Sequence, residues 1–166
     1  MKLLISLLTL LPLASFAQNC PLKKTKDQFS QEPKISSGFV SFGNTRLNIE
    51  ADGKEIHFLF VSGNNGEAKC YDDASTLTIA FDSTNTKANL RNSGSMNCDG
   101  YFDVTFKNTP STNTYLNRLT THKVKTMTFT GNNKSVTVLT LSDDQKDILK
   151  ELATCIATES KTLIKQ

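Results

Sequence analysis

His57 and His122 are the chain's two candidates for acid–base chemistry. His57 stands two residues from Glu55, and on a strand both side chains project from one face. A Glu-x-His pair can relay a proton or contribute to a metal site. The plain alternative is a histidine at the rim of a sheet beside a hairpin turn. His122, between Thr121 and Lys123 at the entrance to a strand, has the character of an exposed loop residue. No Gly-x-Ser-x-Gly elbow offers a serine nucleophile, and Asn92-Ser93-Gly94-Ser95 reads as a turn. Glu50 with Asp103 is a conceivable carboxylate pair for glycoside cleavage. The chain has no Trp, however, and Tyr71, Tyr101 and Tyr115 are its three tyrosines, a thin supply of sugar-stacking rings. Glycine-rich phosphate cradles are absent. No residue is assigned a catalytic role and no cofactor is implied, so the side-chain inventory leans away from an enzyme.

Cys20, Cys70, Cys98 and Cys155 form an even set without a CxxC pair, which disfavours a zinc ribbon or a redox dithiol. A cysteine nucleophile would need a thiol left over. Of three possible pairings, Cys70–Cys98 with Cys20–Cys155 is favoured. The first pair sits in two loops that each precede a strand, and the second would tie the N-terminal arm to the C-terminal helix. Asp72, Asp73 and Asp99 flank the Cys70–Cys98 pair, with Tyr71 and Tyr101 beside them, so the loops 63–74 and 92–100 are the expected binding region. The oxygen ligands there suit calcium, but solvated loop charge explains them more simply and no metal is assigned.

Such a pattern of cysteines fits an exported chain. Residues 1–17, MKLLISLLTLLPLASFA, have the form of a signal peptide, with Lys2 ahead of an apolar stretch and small residues before cleavage near Ala17. The expected location is therefore secreted or periplasmic. Ala17-Gln18-Asn19 lacks the pattern for lipid attachment at Cys20. The 19 basic and 16 acidic side chains give a formal net charge of +3. With no dense Lys/Arg cluster, nothing points to nucleic acid. No apolar run reaches the ~20 residues of a transmembrane helix.

The elements that would position these residues follow from the hydropathy pattern. After the leader, residues 18–37 read as an extended, Lys-containing arm, and 38–166 as a single domain. Period-2 alternation marks strands at Phe39–Phe42, Thr45–Ala51, Glu55–Ser62, Leu77–Phe81, Lys87–Arg91 and Phe102–Phe106. Asp52-Gly53 reads as a two-residue hairpin turn with positive φ. The strand after it is apolar on both faces, so it is expected to be central and covered twice. Tyr115–Thr120 reads as a helical turn, and Gly131-Asn132-Asn133 joins a last hairpin whose tip carries the sequon Asn133-Lys134-Ser135. Ser142 and Gln145 form a capping box for a C-terminal helix. The apolar stripe of that helix is Ile148, Leu149, Leu152, Ile156 and Leu163, with Lys161 and Lys165 near its end.

The expected fold class is thus α+β: an antiparallel sheet of about seven or eight strands in hairpins, open to a sandwich arrangement, with a disulfide-stapled C-terminal helix on one face. The expected function is a non-enzymatic binding or interaction domain whose partner is an unknown protein or small ligand. The alternatives are an exported hydrolase using His57 with a nearby carboxylate, or a secreted enzyme inhibitor.

Overall fold

The computed structural model describes residues 20–63, 69–82 and 84–165. The expected leader and its cleavage point lie outside them. Nine strands are described: β1 (Lys23–Lys26), β2 (Pro33–Phe42), β3 (Thr45–Ala51), β4 (Glu55–Ser62), β5 (Thr76–Phe81), β6 (Lys87–Arg91), β7 (Tyr101–Lys107), β8 (Val124–Thr130) and β9 (Val136–Thr140). Helix α1 (Thr114–Thr121) separates β7 from β8, and helix α2 (Asp143–Glu159) runs into a 3-10 turn at Ser160–Leu163. Every strand pairing is antiparallel. The strands divide into a five-stranded sheet, β1-β2-β3-β4-β7, and a four-stranded sheet, β6-β5-β8-β9.

The α+β class is as expected, and the strands take the sandwich arrangement of two facing sheets that the expectation left open. Alternation explains the layering, since each strand turns its apolar set toward the partner sheet. Ile49, Phe58, Phe60, Phe102 and Val104 meet Leu77, Ile79, Met127 and Phe129 in one buried cluster. Phe60 and Phe102 stand edge to face on Phe129, with centroids 5.2 and 5.3 Å apart, the geometry that aromatic quadrupoles favour. Helix α2 bridges the sheets, meeting β2 and β3 on one side and β8 on the other, and α1 packs against it.

The capping box is present at Ser142 and Gln145. The stripe of α2 is narrower than expected: Leu149, Leu152, Ala153 and Ile156 are buried, whereas Ile148 lies to one side of it and is exposed. Lys161 and Lys165 fall beyond the helix, and Lys165 pairs instead with Glu32 at 2.7 Å.

The Asp52-Gly53 hairpin forms, though not as a primed two-residue turn. Asp52 Oδ1 accepts hydrogen bonds from the Lys54 and Glu55 amides at 2.7 and 2.8 Å, and φ at Gly53 is not positive. Glycine is needed there for space, because a Cβ would stand 2.8 Å from the Leu163 carbonyl oxygen. The two-residue turn falls one hairpin earlier, at Gly43-Asn44, where Gly43 has φ +59° and Phe42 faces Thr45. Strand β4 has neighbours on both edges, but among the described residues nothing covers its outer face, and His57, Leu59 and Val61 are only half-buried. Helix α2 packs against β2, β3 and β8 on the inner side, so among the described residues it does not cover that face.

Residues of the expected arm form the hairpin β1–β2. Strand β1 is solvent-facing along its whole length, which is why no alternation betrayed it. Cys20 is joined to Cys155 of α2, and Cys70 to Cys98. The first bridge spans 135 residues, and closing so long a loop stabilises by about 4–5 kcal/mol in the chain-entropy model. Two such bridges fit an extracellular-type, oxidising setting. Among the described residues no helix is long and apolar enough to cross a membrane.

Candidate functional site

The disulfide Cys70–Cys98 draws the two expected binding loops together, and Tyr71 and Asn97 exchange backbone hydrogen bonds of 2.8 and 2.9 Å beside it. The side chains expected to bind there do not converge. The Tyr71 ring is 1% exposed and stands edge to face on Phe102 at 5.2 Å, so it belongs to the core. Asp72 Oδ1 accepts from the Ala74 and Ser75 amides and the Ser75 hydroxyl, all within 3.0 Å, and so builds its own turn. Asp73 and Asp99 are exposed. Tyr101 is 45% exposed, on the outer face of the five-stranded sheet. Among the described residues no three His, Cys, Asp or Glu side chains gather where a metal ion could sit.

That outer face is where polar chemistry concentrates. Alternation sends Glu55, His57, Leu59 and Val61 outward from β4, and Tyr101, Asp103 and Thr105 outward from β7. The register sets His57 between Glu50 and Thr105, and Leu59 between Asn48 and Asp103. The result is an open depression of about 320 Å³, lined by Lys34, Asn48, Glu50, His57, Leu59 and Asp103. Glu50 and Asp103, the carboxylates weighed from sequence, both line it.

Two hydrogen-bonded groups furnish the depression. In the first, the Ser36 hydroxyl donates to Asn48 Oδ1 (2.9 Å), and Asn48 Nδ2 donates to Glu50 Oε1 (2.7 Å). Lys34 stands at the rim, paired with Asp27 at 2.9 Å. In the second, His57 Nδ1 lies 3.1 Å from Asp103 Oδ2, which also accepts from Ser93 Oγ (2.8 Å) and Thr105 Oγ1 (3.0 Å). The other ring nitrogen, Nε2, is 3.4 Å from Glu55 Oε2.

The hydrogen bond that His57 donates to Asp103 raises the pKa of His57 above its ordinary 6.5; partial burial opposes this, and the charges of Asp103 and Glu55 reinforce it. Burial pushes Asp103 up, but hydrogen bonds from His57, Ser93 and Thr105 outweigh it and hold the carboxyl below its ordinary value. Each shift favours the charged form of its group, so the contact is strongest as an imidazolium facing a carboxylate, a charge-assisted hydrogen bond.

What this can do chemically follows from where the groups stand. Ser93 lies on the carboxylate side of His57, and Nε2 faces a carboxylate rather than a hydroxyl, so Ser93, His57 and Asp103 are not arranged as a catalytic triad. His122 caps the end of α1, exposed and away from this cluster. Alternation alone puts His57 and Glu55 on one face, and Asp103 and Thr105 on one face. What it lacks is the pairing of β4 with β7 across 46 residues, which joins the two sets.

Fold and site together define a class: a disulfide-linked α+β domain of two sheets, with a furnished, open face on the larger one. No family model matches the chain, and no curated protein or solved structure matches it.

Proposed function

We propose that this chain is an exported binding domain, secreted or periplasmic after cleavage near Ala17, which meets its partner with the outer face of the five-stranded sheet. One observation carries the reading. The depression at His57 is flanked across the sheet by two exposed rings, Phe39 (53%) and Tyr101 (45%), and among the described residues no second layer covers them. Arg46 lies over the Phe39 ring at 5.1 Å. Exposed aromatics and Arg around preorganised polar groups are the composition of a recognition surface. The polar groups are already engaged with one another, which suits binding better than proton transfer.

The oxidised mature chain, immobilised and exposed to its own envelope or culture medium, should capture a partner. A Phe39→Ser/Tyr101→Ser variant should lose it. Capture unchanged by that double substitution would remove this face from the proposal. The hydrolase reading stands second, favoured by the 3.1 Å contact of His57 with Asp103 over an open depression. Turnover of simple ester or glycoside substrates that vanishes in His57→Ala would promote it. A secreted inhibitor is the case in which the captured partner is an enzyme.

A further inference from the structure

Strand β7 is an edge strand, and every second peptide group along it points away from β4. Along its first half those groups are met within the chain. The Tyr101 N–H donates to Asn97 Oδ1 (3.0 Å), and the Tyr101 carbonyl accepts from Asn97 Nδ2 (2.9 Å). The Asp103 N–H donates to Asn92 Oδ1 (2.8 Å), and the Asp103 carbonyl accepts from the Ser93 N–H (2.9 Å). The segment between β6 and β7 thus stands in for a missing strand.

The same alternation turns the N–H and C=O groups of Thr105 and Lys107 outward. The phase is fixed at the next inward position, where the Asn108 N–H donates to the Lys54 carbonyl at 2.7 Å. Among the described residues nothing meets the outward groups of Thr105 or Lys107. Thr105, Phe106 and Lys107 line a groove of about 560 Å³ together with residues of the segment 109–114, among them Thr109, Ser111, Thr112 and Asn113. Other edges differ. Strand β1 exposes Lys23, Lys24 and Lys26, the charges that discourage strand addition. Strand β9 exposes Val136 and Val138.

We propose that the open half of the β7 edge, Thr105–Lys107, accepts an extended segment of another polypeptide as an added strand. Its main chain would complete the peptide groups that Asn97, Asn92 and Ser93 leave unmet, which is the usual source of affinity in strand addition. The hydroxyl- and amide-bearing wall suits polar side chains on alternate positions, and the exposed Lys107 suits an acidic one. This site adjoins the depression at His57 through Thr105, but it uses the outward peptide groups of β7 and not the side chains of the depression, so the failure of either leaves the other standing.

The probe is a random decapeptide library displayed on phage, panned on the oxidised protein and in parallel on Lys107→Pro. Proline removes one outward N–H and leaves the ladder groups of Val104 and Phe106 in place. Selected peptides should bind the variant at least about tenfold more weakly, as expected when main-chain hydrogen bonds are lost. N-methylation of alternate peptide residues should weaken binding to the unaltered protein to the same degree, which decides the matter even if the variant does not fold. In the free protein the Thr105 and Lys107 amides should exchange with solvent faster than those of Val104 and Phe106, and peptide should slow them. Selection of no peptide, binding indifferent to N-methylation, or protected Thr105 and Lys107 amides in the free protein would each overturn the proposal.

Discussion

The two sheets share one interior and turn unlike surfaces to water. On the five-stranded sheet, the outer rows run Ser36–Glu50–His57–Thr105 and Phe39–Asn48–Leu59–Asp103, and their polar side chains are hydrogen-bonded between β2 and β3 and between β4 and β7. On the four-stranded sheet, the matching rows are Asn89–Thr78–Thr128–Val138 and Arg91–Thr76–Thr130–Val136, with a single side-chain hydrogen bond along them among the described residues, from Thr78 to Asn89 (2.9 Å). A folded sheet needs only that its outer face tolerate water, and threonine and valine satisfy that need while favouring the strand. The second surface is what the fold alone requires. The first sets a carboxylate at each ring nitrogen of one imidazole, Asp103 at Nδ1 and Glu55 at Nε2, an arrangement the fold does not require and the reason for placing function there.

The contrast assumes one body with two faces, and the largest effect tests that. Phe102 is fully buried and touches both Tyr71 and Phe129, so it links the sheets. Phe102→Ala should cost about 3–5 kcal/mol, with far-UV and near-UV signals lost together in one denaturant transition. Separate transitions would mean that the sheets fold independently. Next in size is Asp103→Asn, which removes the charge from a carboxylate accepting three side-chain hydrogen bonds. It should cost about 1–2 kcal/mol in the same measurement. Thr128→Ala, at the centre of the other face, should stay within about 0.5 kcal/mol.

Acid and base sharpen the contrast further. Folded His57 holds its proton more tightly than the unfolded chain does. Its contribution is therefore fully present below about 6.5, the unfolded value, and is lost as pH rises through the raised folded value. Asp103, held low, contributes above about 3.9, its unfolded value, and loses that contribution as pH falls through its folded value. Thermal melts should show the native chain exceeding His57→Gln by more at pH 6 than at pH 9. An advantage that grew with pH would reverse the assignment of the His57–Asp103 contact.

Much of this architecture is written locally. The alternation of Thr45–Ala51 and Glu55–Ser62, the capping box at Ser142, and the apolar stripe of α2 each depend on neighbours within a few residues. Strand β1 escaped because an edge strand with every side chain in water has no apolar phase, and its place is fixed by pairing with β2. The nature of the Asp52-Gly53 turn was equally illegible, since Gly53 answers to a carbonyl 110 positions later, at Leu163. The site divided in the same way. His57 and Glu55 are neighbours in sequence, whereas Asp103, Ser93 and Asn48 join them only through strand order. Tyr71 misled because a tyrosine beside a cysteine in a polar loop looks exposed, and here the bridge holds it inward.

The smallest expected effect is the most discriminating. Leu59 and Thr128 occupy corresponding central positions on the two outer faces, so one new charge can be placed at each. Leu59→Lys keeps an aliphatic stem over the depression and carries its ammonium toward water. It stands beside Asp103 in register and two residues from His57, so it should lower the His57 pKa while changing stability by about 1 kcal/mol or less. Thr128→Lys lies across the core, where the charge is remote and solvated, and should alter stability by at most about 0.5 kcal/mol and leave the imidazole titration unmoved. Following the His57 ring protons by NMR across pH 5–9 reads both variants directly. A shift of equal size from Thr128→Lys would mean that the faces are coupled through the interior, and the functional distinction between them would no longer hold.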